Sequence, residues 1–434
     1  MTSRPAPRTA PAGCFVYIAL PGATEAVTAA RFELTTNRGG FPLGRLVYGK
    51  SYLARSDAVA FDPVELTLGP RVYETTMMKG VFGALRDASP DSWGRRVIER
   101  HAGKSPLSEL DYLLESPDDR AGALTFGLSQ QPPAPRRKFN QTILLAKLQA
   151  KADAIVNDEE PPADPEVTQA GELLLEGTSM GGARPKAVVE NDEGLWIAKF
   201  NRSDDRWNYA PIEHAMLVLA RACGLTTAES RVVSIGARDV LLVKRFDREK
   251  TEAGYQRARM VSALTLLRTD DSPQLMDKWS YVVLAEELRR VSAEAKKDAT
   301  ELFRRMCFNA LISNTDDHPR NHAIIAKSHD WKLSPAYDLT PTPHVSIERR
   351  DLAMICGDQG RVANATNLLS QAARFLLPEE DARSIVEAMK DRVKRTWYET
   401  ARSAGVSEKD CERIAGAFVY PGFDLEQVQP MQNN

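Results

Sequence analysis

The apolar pattern of this chain changes character near Val167, and that change limits the folds open to it. Between about residue 14 and residue 80 the apolar runs are short and broken by Gly and Pro, as in CFVYIALPG, GGFPLGRLVYG and AVAFDPVELTLGP, the pattern of a small strand-rich unit. Beyond Val167 the order becomes helix, Gly-rich loop, strand, helix, strand, strand, and then mostly helix. The helical mass includes SAEAKKDATELFRRMCFNALISN and PEEDARSIVEAMKDRVKRTWYETARSAG, both with apolar residues three to four apart. No fixed-period repeat runs through the sequence, so an α+β protein is expected. Its 434 residues fit two or three domains, each able to bury its own core. The expected division is a mobile tail at 1–13, a strand-rich subdomain with helices at 14–130, a linker helix, Gly-rich loop and small lobe at 131–250, a helical lobe at 251–420, and a tail at 421–434.

Charge excludes one broad class of function. Lys and Arg number 57 against 59 Asp and Glu, a formal net of −2, which leaves no general polyanion-binding surface. The five cysteines are scattered and never form a C-x-x-C pair, so neither a disulfide framework nor a zinc site follows. Only His318 and His322 stand at the i, i+4 spacing of a helical metal pair. The apolar run Cys14 to Leu20 is too short for a signal peptide and is expected as an edge strand. No run approaches the roughly 20 residues of a membrane span. A reducing cytoplasm fits best.

Local signals place further helices. Ser89-Pro90-Asp91 offers a cap, a proline at the first helical position and an acid in the first turn ahead of SWGRRVIERH. LSELDYLLE follows as the next helix, and two Pro-rich stretches at 131–137 and 157–166 bracket an amphipathic helix in FNQTILLAKLQAKADAIV.

Chemistry concentrates in five places. The stretch Gly177-Thr178-Ser179-Met180-Gly181-Gly182-Ala183-Arg184-Pro185-Lys186 has adjacent glycines that let backbone N–H groups approach phosphate oxygens, although it lacks Walker A spacing and also fits a tight turn. Lys199 lies in the alternating strand Leu195 to Phe200, and Glu213 lies in the first turn of a helix expected to open at Pro211. Asp316 and Asn321, in Asn314-Thr315-Asp316-Asp317-His318-Pro319-Arg320-Asn321-His322, show the D-x-x-x-x-N spacing of a kinase catalytic loop. HAIIAK and DWKLS read as a hairpin, and Asp338 stands just past it, where a kinase places its metal-binding aspartate. Each residue alone also fits a turn, a cap or a solvated face. All five in kinase order are hard to assign to chance. The set would give ATP backbone donors, a fixed cation in Lys199 and hard oxygen ligands for Mg²⁺ in Asn321 and Asp338, with Asp316 as base for an alcohol. Asp239 to Asp247 reads as a strand leaving the small lobe, where backbone groups around Val243, Lys244 and Phe246 could meet adenine.

From roughly residue 40 to residue 400 the chain resembles the HipA family of bacterial Ser/Thr kinases, the toxin half of toxin–antitoxin pairs. The resemblance is carried by Ser179 to Lys186, the Lys199 strand, Arg245-Phe246-Asp247-Arg248, Asn314 to Asn321 and Pro335-Ala336-Tyr337-Asp338. Asp87-Ala88-Ser89-Pro90-Asp91-Ser92-Trp93-Gly94-Arg95-Arg96 and Asp119 to Leu124 add to it. It implies a two-lobed protein-kinase-like fold with an extra small N-terminal subdomain and a mostly helical C-terminal lobe. It also implies ATP and Mg²⁺, with His318 and Lys186 on the nucleotide side, and a substrate in translation, typically an aminoacyl-tRNA synthetase. The implied partner is a HipB-like helix-turn-helix antitoxin, through which any contact with DNA would pass. Ser179 falls on the family's autophosphorylated serine, where a phosphate would repel those of ATP. Lys244 departs from a position often acidic in the family. Two other readings compete: a small-molecule kinase, which would need an acidic pocket beside Asp316 with Asp317 as its one visible member, and a catalytically silent partner of a DNA-bound repressor.

Overall fold

The computed structural model describes residues 12–103, 105–135, 139–141, 144–159, 184–343 and 346–424. Strands β1 (Gly13–Ala19), β2 (Ala26–Thr36), β3 (Pro42–Tyr48), β4 (Tyr73–Thr75) and β5 (Leu124–Gly127) form an antiparallel sheet in the order β4-β3-β2-β1-β5. In β3 the alternation of Arg45 and Val47 outward with Leu46 and Tyr48 inward shows why the run reads as a half-buried strand. Around this sheet run helices α1 (Gly83–Asp87), α2 (Ser92–Ala102) and α3 (Glu109–Glu115), the last opened by a reciprocal capping box between Ser108 and Asp111.

A second sheet joins β6 (Asn140–Gln141), β7 (Lys186–Asn191), β8 (Gly194–Phe200), β9 (Ser230–Ile235) and β10 (Arg238–Lys244) in the order β6-β7-β8-β10-β9. Its strand alternation decides what becomes core and what becomes site. On β8, Trp196, Ala198 and Phe200 pack into an apolar cluster with Trp93 and Val97 of α2 and with Leu145, Leu148, Ala152 and Ile155 of helix α4 (Leu145–Val156). Burial of each large side chain there is worth about 1.5–3 kcal/mol. The opposite face turns Ile197 and Lys199 toward a cleft.

Helix α5 (Tyr209–Ala222) crosses to the helical half, where Met216 and Leu219 share one core with α6 (Tyr281–Val291), α7 (Ala295–Leu311) and α8 (Glu379–Ser403). In α7, Leu302, Phe303 and Met306 recur at helical spacing and are fully buried. A hairpin of β11 (Arg248–Thr251) and β12 (Gly254–Arg257) and a sheet of β13 (Arg259–Ser262), β14 (Ala323–Ala326) and β15 (Lys332–Leu333) bridge the two halves. The result is α+β, strand-rich first and helical last. HAIIAK and DWKLS pair as the β14–β15 hairpin.

Three local expectations are corrected. The Cys14 to Leu20 run is not an edge: β1 lies between β2 and β5, and β5 arrives from a distant part of the chain that no local pattern reveals. Helix α2 is capped by Asp91, whose carboxylate accepts the Gly94 N–H at 2.8 Å, so Pro90 stands before the helix. Helix α5 opens at Tyr209, with Pro211 inside its first turn, where a missing N–H costs nothing. Glu213 therefore sits just past that turn.

Immediately after β10, Arg245-Phe246-Asp247-Arg248 locks the small sheet to the N-terminal subdomain. Asp247 is 2% exposed and accepts Arg245 Nη2 at 2.8 Å, Arg248 Nη1 at 2.7 Å and the Gly122 N–H at 2.9 Å. Arg245 also donates to the carbonyls of Asp119 and Arg120.

Candidate active site

The centre of the cleft is Lys199. Its position on β8 points it away from the Trp93–Trp196 core, and its Nζ lies 2.6 Å from Glu213 Oε1 and 2.6 Å from Asp338 Oδ1. Burial favours the neutral amine, but the charges of Asp338 and then Glu213 outweigh it and hold Lys199 above its ordinary value. Asp338 answers in the other direction: burial would raise its carboxyl, and Lys199 more than offsets that, keeping it below the usual carboxylate range. Asp338 also has φ +60°, a left-handed backbone that Asp adopts more readily than most residues and that turns its carboxylate in toward Lys199.

The loop after α7 carries the second group. Its floor is a buried network centred on Asp317, which accepts Asn309 Nδ2 at 2.7 Å, bonds His322 Nε2 at 2.8 Å and takes the hydroxyl of Tyr281. Asn314 Nδ2 donates to Asn309 Oδ1 at 3.0 Å, so both ends of the loop are pinned to one cluster. Asp316, next in sequence to this anchor, is solvent-exposed. Its surroundings still raise its carboxyl, chiefly by desolvation and also through Asp338, against the lowering effect of His318. Asn321 is buried and its Nδ2 reaches back to the Asp316 carbonyl at 3.4 Å.

The cleft spans about 950 Å³ when the open solvent at its mouth is included. Lys186, Lys199, Val243, Lys244, Phe246, Asn321 and Asp338 all line it. Glu213 sits behind Lys199. His318 instead faces a neighbouring cleft and packs edge-on against Trp279, with Arg320 shared between the two clefts. Asp317 is buried and its Oδ2 is engaged three times, so it faces the Asn309–His322 network rather than an acceptor pocket. His322 is committed to Asp317, and the two histidines do not pair as ligands. Ser179, Met180, Gly181, Gly182 and Ala183 lie outside the described residues.

At the sheet end, the N–H groups of Lys244 and Arg245 are taken by the carbonyls of Glu229 and Leu195. The Phe246 N–H has no partner among the described residues, and the Phe246 ring packs against Tyr337 at 5.7 Å. Lys244 itself reaches Glu229 at 3.1 Å. Mg²⁺ characteristically takes one or two protein oxygens and fills its sphere with phosphate and water. Asn321 and Asp338 offer hard oxygen donors on one wall, and that donor set fits such an ion.

Sequence patterning missed Asp87, Ser89 and the Lys186–Asp91 pair at 2.8 Å, all at this cleft or beside it. The one available signal is DASPDSW, a run dense in polar groups between two apolar helices.

Lys199→Met is expected to weaken ATP binding by at least about tenfold and to cost about 2 kcal/mol of stability, because Glu213 is left buried without its cation. Adding Glu213→Leu should restore much of the stability, read by urea denaturation, without restoring nucleotide affinity, read by calorimetry.

Comparison with known proteins places the chain in a family. The family model for the HipA-like C-terminal domain matches residues 178–397. The chain is 25% identical over 352 residues to "Putative kinase Y4dM" of Sinorhizobium fredii, covering 75% of this chain and 78% of that protein. It is 30% identical over 139 residues to "Putative kinase Y4mE" of the same organism, covering 30% of this chain and 32% of the other. Among solved structures, a chain of the Shewanella oneidensis MR-1 complex of HipA, HipB and operator DNA superposes with a TM-score of 0.66 at 17% identity, covering 93% of this chain and 94% of that one. That likeness extends the shared fold through the N-terminal subdomain.

Proposed function

Because the chain belongs to the HipA-like family, we propose that it is an ATP- and Mg²⁺-dependent serine/threonine protein kinase acting as a toxin on a translation protein. One observation carries the reading: Lys199 held between Glu213 and Asp338 at 2.6 Å each, with Asn321 on the same cleft wall. A fixed cation beside hard oxygen donors suits a polyphosphate.

In this reading adenine lies between Ile197, Val243 and Phe246, paired to the Phe246 N–H, and Lys199 holds the α and β phosphates. Asn321 and Asp338 would hold the metal, which when bound would supply charge neutralisation at the phosphates. Asp316 orients the acceptor hydroxyl and takes its proton as the oxygen bonds to the γ-phosphorus and ADP leaves. The exposure of Asp316 supports this role, since a protein side chain has to reach it.

The finer features rest on family likeness. The acceptor is proposed to be a Ser or Thr of an aminoacyl-tRNA synthetase, Ser179 to be autophosphorylated and self-inactivating, and the partner to be a HipB-like antitoxin that brings the chain to DNA indirectly. A cytoplasmic setting goes with this. Among the described residues, no helix is long and apolar enough to cross a membrane.

Phosphoproteomics of cells expressing the wild type against Asp316→Asn is the test. The expected result is an enriched phosphosite on a translation protein together with phospho-Ser179. No enriched site beyond Ser179 would sink the toxin reading.

A further inference from the structure

Asp87-Ala88-Ser89-Pro90-Asp91 leads out of α1 and into α2, and its three polar side chains are placed very differently. Asp87 is saturated by the Ser262 N–H at 2.6 Å, the Ser262 hydroxyl at 2.8 Å and the Thr265 hydroxyl at 2.6 Å. Asp91 caps α2 and takes the ammonium of Lys186 at 2.8 Å. Between them Ser89 is 5% exposed, and its Oγ has no hydrogen-bond partner among the described residues. A buried hydroxyl without a partner is destabilising, and native folds seldom keep one without a use.

The surroundings say what that use is. Ser89 lines the same cleft as Lys186, Lys199 and Arg320, together with the carboxylates of Asp87 and Asp338 and the apolar side chains of Ile197, Val243 and Met260. The carboxylates of this lining are already engaged, Asp87 by Ser262 and Thr265 and Asp338 by Lys199, so an anionic oxygen of a ligand supplies the acceptor that the Ser89 hydroxyl lacks. The backbone beneath is held: Arg120 Nη1 donates to the Ala88 carbonyl at 3.0 Å, and Pro90 restrains the other side. The start of α2 is already taken by Asp91, so the helix end is not the source of binding.

We infer that Ser89 Oγ donates a hydrogen bond to a phosphate oxygen of the bound nucleotide, which makes the N-terminal subdomain a working wall of the nucleotide site. The inference rests on the nucleotide reading given above. It goes further in assigning a phosphate contact to a residue outside the kinase-like core.

The test is calorimetric titration of the full chain and of Ser89→Ala with ATP, ADP and adenosine in Mg²⁺, together with melting curves without ligand. Loss of a hydrogen bond to a charged group predicts about tenfold weaker ATP and ADP binding, with adenosine unchanged. The ligand-free melting temperature should hold or rise, because the variant removes an unsatisfied polar group. Equal ATP affinity in both proteins, an equal loss for adenosine, or a lowered ligand-free melting temperature would each overturn the contact. Failure of the wild type to bind any of the three would instead overturn the nucleotide reading itself.

Discussion

Purified Asp316→Asn protein is expected to bind ATP within about twofold of the wild type while transferring its γ-phosphate roughly 10³-fold more slowly, the size of effect that loss of a general base and hydroxyl-orienting group produces. The two halves of the expectation come from different geometry. Asp316 is absent from the cleft wall formed by Lys199, Asn321 and Asp338, so ATP affinity should survive its neutralisation. Asp316 is an exposed residue with a partly desolvated carboxylate, and its neighbour Asp317 is anchored by Asn309, His322 and Tyr281, so the substitution should leave the loop in place. Single-turnover transfer beside equilibrium ATP binding reads both. Asp316 also carries a carboxyl raised by desolvation. A base must be deprotonated, so wild-type transfer should fall on acidification, with its midpoint above the ordinary carboxylate value of about 3.9. The Asp316→Asn protein should lack that limb.

Asp247→Ala should lower stability by about 3–5 kcal/mol, the cost of removing one partner from a buried ion cluster, against the roughly 5–15 kcal/mol that holds a typical domain together. Arg245 and Arg248 have side chains 0% and 2% exposed, and Asp247 is the carboxylate paired with both. Burial would raise the Asp247 carboxyl, but Arg245 and then Arg248 overwhelm it and hold it far below the usual range. In the unfolded chain that group takes a proton near pH 3.9, so its contribution is complete at neutral pH and fades as pH falls below about 4. Urea denaturation at pH 7 checks the loss, and repetition at pH values stepped below about 4 should show the wild type converging on the variant. Because the cluster ties the turn at Phe246 to Asp119, Arg120 and Gly122, the variant should also bind ATP more weakly than its folded fraction alone explains.

How far the sequence speaks depends on the range over which each feature is determined. D-x-x-x-x-N marks Asp316 and Asn321 because one short loop carries both, and alternation in Leu195 to Phe200 places Lys199 on the face opposite Trp196. The helices at 295–311 and 379–403 follow from apolar spacing summed over many turns. Features set by distant pairing are silent in the same text. Nothing near Cys14 announces β5, which makes β1 an interior strand, and nothing near Ser89 announces Lys186 or Arg320. Asp317 shows the cost of local reading most plainly. Adjacent to Asp316, it resembles a second site carboxylate, yet its side chain turns inward to Asn309 and His322. At Asp91, tertiary demand from Lys186 and the Gly94 N–H together selects the acid as cap over Ser89.

Incubating the purified chain with γ-labelled ATP and Mg²⁺, and following label into protein by time course and mass spectrometry, tests the assignment of the Lys199, Asp316, Asn321 and Asp338 cleft to phosphoryl transfer most directly. The wild type should place label on Ser or Thr hydroxyls, its own Ser179 or an added acceptor protein, with Asp316→Asn near background. Tight ATP binding with no protein-bound label, or equal labelling by wild type and Asp316→Asn, would contradict it.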